Sequence, residues 1–145
     1  MIESQVYKNL STLLKPNQSV LLGISGGVDS LVLFNVLNNL RIKLNINIYL
    51  AHINYSMHKN SLKCESLCTQ ISKKYKYKIF INKANLNKNN FEHKARILRY
   101  KYFYDIASKH FIDFIITAHH LNDQIETLFI KEKNTSDLIS KIGIR

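Results

Sequence analysis

Two hydrophobic periodicities alternate along the chain. Residues 3–14 carry Val6, Leu10, Leu13 and Leu14 at helical spacing, which predicts a short helix ended by Pro16 and Asn17. SVLLGI, 19–24, is a continuous apolar run of the kind that makes a strand covered on both faces. From Asp29 the pattern turns helical: Val32, Leu33, Val36, Leu37 and Leu40 form one stripe, with Asn35, Asn38 and Asn39 opposite. INIYLAHI, 46–53, predicts a second strand; residues 60–75 predict a helix carrying Leu62, Leu67 and Ile71; KIFIN, 78–82, predicts a third strand. A long helix over 91–111, a fourth strand over 113–118 and a last helix over 121–131 complete the pattern. Strands alternating with helices predict an α/β fold, an open parallel sheet of about four to five strands with helices on both faces. Ligands of such sheets sit outside the carboxyl ends of the strands. Three unusual stretches fall there: SGGVDS after strand one, AHINYSMH after strand two and AHHLNDQIET after strand four.

Composition narrows the class. A chain of 145 residues fits one domain, and at that size roughly 68–70% of the unfolded surface can be buried. With one Pro and four Gly, no linker announces itself. The abundance of Asn, Lys and Ile reads as a bias of the source. The net charge of +11 fits a lysine-rich solvated surface and equally an anionic partner, for which nucleic acid is the natural candidate. Cys64 and Cys68, four apart on one helical face and without a His at finger-like spacing, read as reduced thiols of a cytosolic protein and not as a zinc site. The start, MIESQVYKNL, lacks the apolar core of a signal peptide, and no run approaches the ~18 residues of a membrane span. A soluble cytoplasmic protein with no membrane association is expected.

The stretch SGGVDS carries the chemistry. Two glycines between a buried strand and a helix allow a sharp turn and bring backbone N–H groups close to a ligand. The helix starting at once adds its own unpaired N–H groups and dipole, and Ser25 and Ser30 add hydroxyls, which together suit phosphate oxygens. A plain capped turn is the simpler reading of a lone GG. The spacing is neither the Walker loop nor the dinucleotide fingerprint. Asp29 beside a phosphate pocket needs a cation between the two, and Mg²⁺ is suited to that. In AHHLNDQIET, a helix from near His120 would bring His119, Asp123 and Glu126 towards one face, where Mg²⁺ or the ammonium of an amine substrate could neutralise the acids. In FEHKARILRYKYF, Glu92 and Arg96 read as an i, i+4 surface pair, while Arg99, ahead of a run of aromatics, could reach a phosphate with its fork of donors.

SGGVDS resembles the pyrophosphate-binding loop of the PP-loop ATP pyrophosphatases, whose fold is of the adenine nucleotide alpha hydrolase-like type. Taken with A-H-x-N at 51–54, A-R-x-x-R-Y at 95–100 and HHLNDQIET, in that order and at those spacings, it closely resembles tRNA(Ile)-lysidine synthetase over roughly residues 18 to 145. The resemblance implies a ligase forming a C–N bond: ATP and Mg²⁺ activate C2 of the wobble cytidine of the CAU-anticodon isoleucine tRNA as an adenylated cytidine, and L-lysine displaces AMP. It implies that Ser25, Gly26, Gly27, Val28, Asp29 and Ser30 hold ATP, that Ala51 and His52 lie near the adenosine, and that Asp29 and Asp123 serve Mg²⁺. Arg99, Asp123 and Glu126 would surround the phosphates, the lysine and the reacting base, with His119 or a carboxylate taking the amine's proton. Where the family usually reads HxNHxLR, this chain has HINYSMH, with Tyr55 for the second His and His58 for the Arg; NTSDLISKIGI resembles a weakened RGSGLxGLxGI segment. Residues 1–145 are expected to form a single nucleotide-binding domain, cut short at its C-terminal end and without a separate tRNA-binding domain; a homodimer is allowed. Two alternatives stand beside this: a PP-loop tRNA thiolase, against which the CxxxC spacing speaks, and a non-catalytic ATP-binding remnant.

Overall fold

Apolar runs and amphipathic stripes become strands and helices in strict alternation through most of the chain: α1 (Ile2–Leu13), β1 (Ser19–Gly23), α2 (Val28–Leu44), β2 (Asn47–Asn54), α3 (Ser61–Tyr75), β3 (Ile79–Lys83), α4 (Phe91–Lys109), β4 (Phe114–Ala118) and β5 (Ile125–Phe129). The computed structural model describes residues 2–56, 61–85, 91–118 and 125–129, the last five by their backbone. The starts of α1 to α4 and β1 to β4 fall within two residues of the positions that periodicity predicts, while α2 runs one turn past the last predicted stripe residue, Leu40, to Leu44. Turn chemistry sets several of them. Asn45 closes α2 in the left-handed conformation (φ 54°), and its N–H caps the carbonyls of Arg41 and Ile42.

The sheet has the order β3-β2-β1-β4-β5. The first four strands are parallel, as expected. β5 departs from expectation: it runs antiparallel to β4, with Phe114 opposite Phe129 and Ala118 opposite Ile125. The helix expected over 121–131 is therefore replaced by a strand at 125–129, and the helical face that was to join Glu126 to His119 and Asp123 does not extend to Glu126. The physical reason is local and tertiary together. Ile125, Thr127 and Phe129 favour extended backbone, and the outer edge of β4 offers a row of unpaired N–H and C=O groups that a returning strand satisfies.

The core lies on both faces of the sheet. Val20 and Leu22 of β1 face α1 and α2, packing with Leu10, Leu33, Leu37 and Leu40. Leu21 points the other way, onto Phe103, Ile106 and Ala107 of α4. All three β1 residues are fully buried, which is why the run is continuously apolar, and each contributes about 1.5–3 kcal/mol by leaving water. The chain passes from β1 through β2 to β3 in one direction. α4 then returns it across the opposite face, and β4 joins β1 on its free side. Asp113 fastens that return: its Oδ2 accepts from the Ser19 N–H at 2.9 Å, and its own N–H donates to the Ser19 carbonyl at 3.1 Å. The point where strand order reverses, between β1 and β4, opens a crevice at their carboxyl ends.

Candidate active site

The loop after β1 is shaped by its own hydrogen bonds. Gly26 takes φ +88°, a left-handed conformation that residues with a Cβ rarely adopt. A Cβ there would also come within 2.9 Å of the Cβ of Cys64 on α3, so α3 packs directly on the turn. Ser25 Oγ accepts from the Gly27 N–H at 3.1 Å, Ser30 Oγ donates to the Gly27 carbonyl at 3.1 Å, and the Ser25 N–H donates back to Ser30 Oγ at 3.1 Å. Gly27 is the N-cap of α2 and gives it no side-chain cap; Asp29 stands in the first turn, half-buried. The N-terminal N–H groups of a 17-residue helix thus converge beside two serine hydroxyls.

Across from this loop, α4 supplies a cationic wall. A cleft of about 490 Å³ is lined by Ser25 and Ser30 on one side and by His93, Arg96 and Arg99 on the other, with Thr117 and Ala118 of β4 at its end. The two guanidinium groups lie 5.6 and 5.7 Å from the ring centre of Tyr100, a cation–π arrangement that fixes their height along the helix. Tyr100 is fully buried, and its hydroxyl meets Thr117 Oγ1 at 2.9 Å, which ties α4 to β4 directly under the cleft. Gly23 permits the close approach of that floor: a Cβ on it would lie 2.7 Å from the Phe103 ring.

β2 contributes a buried polar pair. His52 Nδ1 lies 2.7 Å from the Ile24 carbonyl. A carbonyl only accepts, so Nδ1 carries the proton and Nε2 is left as an acceptor, buried and without a partner among the described residues. Cys68 Sγ sits 3.7 Å from the same Nδ1. Burial pushes the Cys68 thiol up to about 12, with the charges of Cys64 and then Glu65 adding to the rise. It remains a neutral thiol at physiological pH. Native labelling with iodoacetamide at pH 8 is expected to modify the half-buried Cys64 and spare Cys68, which reacts only after denaturation; equal native rates for the two would contradict this placement.

Of the residues singled out by sequence, the cleft brings together Ser25, Ser30, His52 and Arg99. Gly26, Gly27, Val28 and Asp29 lie on the bordering turn and the first turn of α2, and Ala51 is fully buried in β2, in register with Gly23. Glu126 pairs by backbone with Thr117, a residue of the cleft wall. His119, Asp123 and His58 lie outside the described residues. Sequence reasoning assigned Arg96 to a surface pair, but it lines the cleft one turn from Arg99. The ARxxRY spacing, with arginines on one stripe, was the available signal. Tyr55, whose hydroxyl donates to the Ala95 carbonyl at 3.2 Å, also lines the cleft.

Comparison with known proteins places this geometry. A family model described as a PP-loop domain matches residues 2–144. The chain belongs to the PP-loop family. Among curated relatives of this PP-loop chain, tRNA(Ile)-lysidine synthase of Pseudothermotoga lettingae is 36% identical over 137 residues, covering 89% of this chain and 31% of that protein. The synthase of the same name from Campylobacter jejuni is 36% identical over 141 residues, covering 97% of this chain and 42% of that protein, and that of Aster yellows witches'-broom phytoplasma is 35% identical, covering 94% and 30%. The chain thus spans less than half the length of these relatives. Its PP-loop fold is shared with the U34-tRNA thiolase NcsA of Methanococcus maripaludis, a solved structure with a [4Fe-4S] cluster, at a TM-score of 0.70 and 23% identity over 83% of this chain and 44% of that one. Among the described residues no helix is long and apolar enough to cross a membrane.

The PP-loop family uses ATP, and the residues present fit its phosphates. The turn at Gly26 has no room for a Cβ, the start of α2 has no side-chain cap, and two guanidinium groups line the far side of the same cleft. All three features suit a polyanion held by backbone amides.

Proposed function

We propose that this chain is the nucleotide-binding and catalytic part of a tRNA(Ile)-lysidine synthase, ligating L-lysine to C2 of the wobble cytidine of the CAU-anticodon isoleucine tRNA. The observation that carries the reading is the shared cleft, which puts Ser25 and Ser30 opposite Arg96 and Arg99 in a PP-loop domain whose curated relatives bear that name. ATP supplies the activation of the base and leaves pyrophosphate and AMP as the two leaving groups.

In this reading the N–H groups of residues 26–30 and the serine hydroxyls hold the triphosphate tail. Asp29, at the head of α2, serves the Mg²⁺ that neutralises it, with Asp123 as the second carboxylate. Ala51 and His52 border the adenosine. Arg99 offers its planar fork to the phosphate that departs, and Arg96, one turn away, strengthens the same positive field. Glu126 and His119 serve the lysine amine. The amine attacks only when unprotonated, so one of them accepts its proton. A fold shared with a thiolase raises the alternative of sulfur transfer. The neutral, buried Cys68 thiol speaks against it, because the thiolate is the reactive form.

The test is transfer of labelled lysine into a transcript of the isoleucine tRNA in the presence of ATP and Mg²⁺. Label is expected in RNA with the wild-type chain and is expected to be lost in Asp29→Ala and Glu126→Gln, with helical circular dichroism unchanged in both. ATP binding without transfer under these conditions would instead identify a non-catalytic nucleotide-binding module.

A further inference from the structure

The far end of the sheet carries a second cleft that the proposed reaction does not use. It has a volume of about 490 Å³ and lies where α2 ends, β2 begins and α3 turns into β3. Arg41, Lys76 and Lys78 stand on its rim, all exposed, with Tyr49 and Tyr77 between them. Among the described residues no carboxylate pairs with any of these cations. Arg41 lies over the Tyr77 ring at 5.5 Å and Lys78 over the Phe80 ring at 5.2 Å, contacts that leave their N–H donors unspent.

Cations near helix ends commonly serve the helix's own unpaired carbonyls. Here backbone and hydroxyl groups already do so. The Arg41 carbonyl accepts from Ile46 N–H, the Ile42 carbonyl from Asn45 N–H, and the Ser72 carbonyl from Tyr77 N–H. The Tyr77 carbonyl accepts from the Ser72 hydroxyl, and the Lys78 carbonyl from Leu50 N–H. The rim therefore presents donors with few competing acceptors. Lys73 and Lys74 of α3 and Lys43 of α2 are exposed on the adjoining last turns and extend the same sign of charge.

We propose that this amino-end cleft is a docking surface for the phosphodiester backbone of RNA, separate from the site of chemistry. Three cations interleaved with tyrosines suit phosphates in series, and the net charge of +11 draws such a partner in. β2 runs from this cleft to the catalytic one. Its eight residues set them roughly 23 Å apart at about 3.3 Å per residue, a span that one helical arm of an RNA can bridge. Identifying that RNA as the substrate rests on the proposed synthase reading; the surface itself does not.

The experiment measures binding of an unmodified isoleucine tRNA transcript by fluorescence anisotropy across a salt series, using the full chain. Wild type is compared with the charge-reversal variant Arg41→Glu/Lys76→Glu/Lys78→Glu and the charge-keeping variant Arg41→Lys/Lys76→Arg/Lys78→Arg. The reversal is expected to weaken binding by roughly tenfold or more at about 100 mM salt. It should flatten the slope of log K against log salt by roughly 2–3 units, at about 0.7–0.9 for each phosphate no longer neutralised. The charge-keeping variant should restore both, and magnesium-dependent ATP binding should match wild type in both variants. An unchanged slope in the reversed chain overturns the proposal, as does failure of the wild type to bind the transcript. A flattened slope in a chain that transfers no lysine retains the RNA surface and discards the synthase reading. Normal lysine transfer with an unchanged slope does the opposite.

Discussion

Gly26→Ala is expected to destabilise the fold and to weaken ATP binding at once, whereas Gly27→Ala, one residue on, should do neither strongly to the fold. Gly26 holds φ +88°, and forcing an L-residue into left-handed backbone costs about 1–2 kcal/mol. The added methyl would also sit 2.9 Å from the Cβ and 3.1 Å from the Cα of Cys64. A helix backbone cannot step aside as the tip of a side chain can, so α3 and the turn must separate. That separation rotates the N–H groups of the turn away from one another, and an affinity loss of at least about tenfold follows from losing their convergence. At Gly27 the backbone is extended (φ −81°, ψ 170°), and a Cβ would meet only Ser25 Oγ at 3.4 Å. Urea unfolding and calorimetric titration with Mg-ATP on the two variants check this. Equal behaviour of the pair would show that neither the backbone angle nor the contact with Cys64 matters.

Arg99→Ala is expected to lower the turnover of lysine transfer by roughly 10²–10³, the usual loss on removing one preorganised donor from a site of developing charge. Affinity for ATP should change far less, because in the proposed reading backbone amides and the serines hold most of the triphosphate. Arg99→Lys should recover only part of the loss. A lysine keeps the charge and loses the planar fork. Arg96→Ala is expected to have the smaller effect of the same kind. Stability is a useful control here. The two guanidinium groups lie on the Tyr100 ring, and a surface cation–π contact is worth about 0.5–1 kcal/mol. A variant that lost turnover only in proportion to such a change in stability would point to a packing role. Single-turnover kinetics at saturating ATP, beside thermal unfolding, separate the two.

The sequence made the architecture legible because the central strands β1 and β4 are short apolar runs and α2 carries a buried apolar stripe. Val20, Leu21 and Leu22 could only be a strand covered on both sides, and Leu33, Leu37 and Leu40 could only be one face of a helix. The tight turn after β1 was legible for a different reason. Adjacent glycines at a strand–helix junction are rare and have few uses. IETLF was misread because a five-residue run holds too few positions to separate the two periods, and only the open edge of β4 decides between them. Arg96 was passed over as a cleft residue because a Glu four residues before it satisfies the rule for a surface pair. Nothing in the sequence says that α4 leans that stripe over the crevice; the packing of Phe103 against Gly23 and the bond from Tyr100 to Thr117 do. The second basic cleft was visible only as net charge, since its cations come from separate segments of the chain and meet through the β2–β3 pairing.

The bonds between Ser19 and Asp113 join residues 94 positions apart, at the amino ends of the two strands whose carboxyl ends flank the crevice. A ribosome makes β1 and its glycine turn early and β4 late. At about 5–20 residues per second, several seconds separate the two. During that interval the turn has one wall, and no nucleotide can be gripped between two. Contacts so distant in the chain also slow the search for the native arrangement. Metabolite supply therefore cannot chaperone the nascent first half, and the protein must reach its shape before it can be rewarded by its ligand.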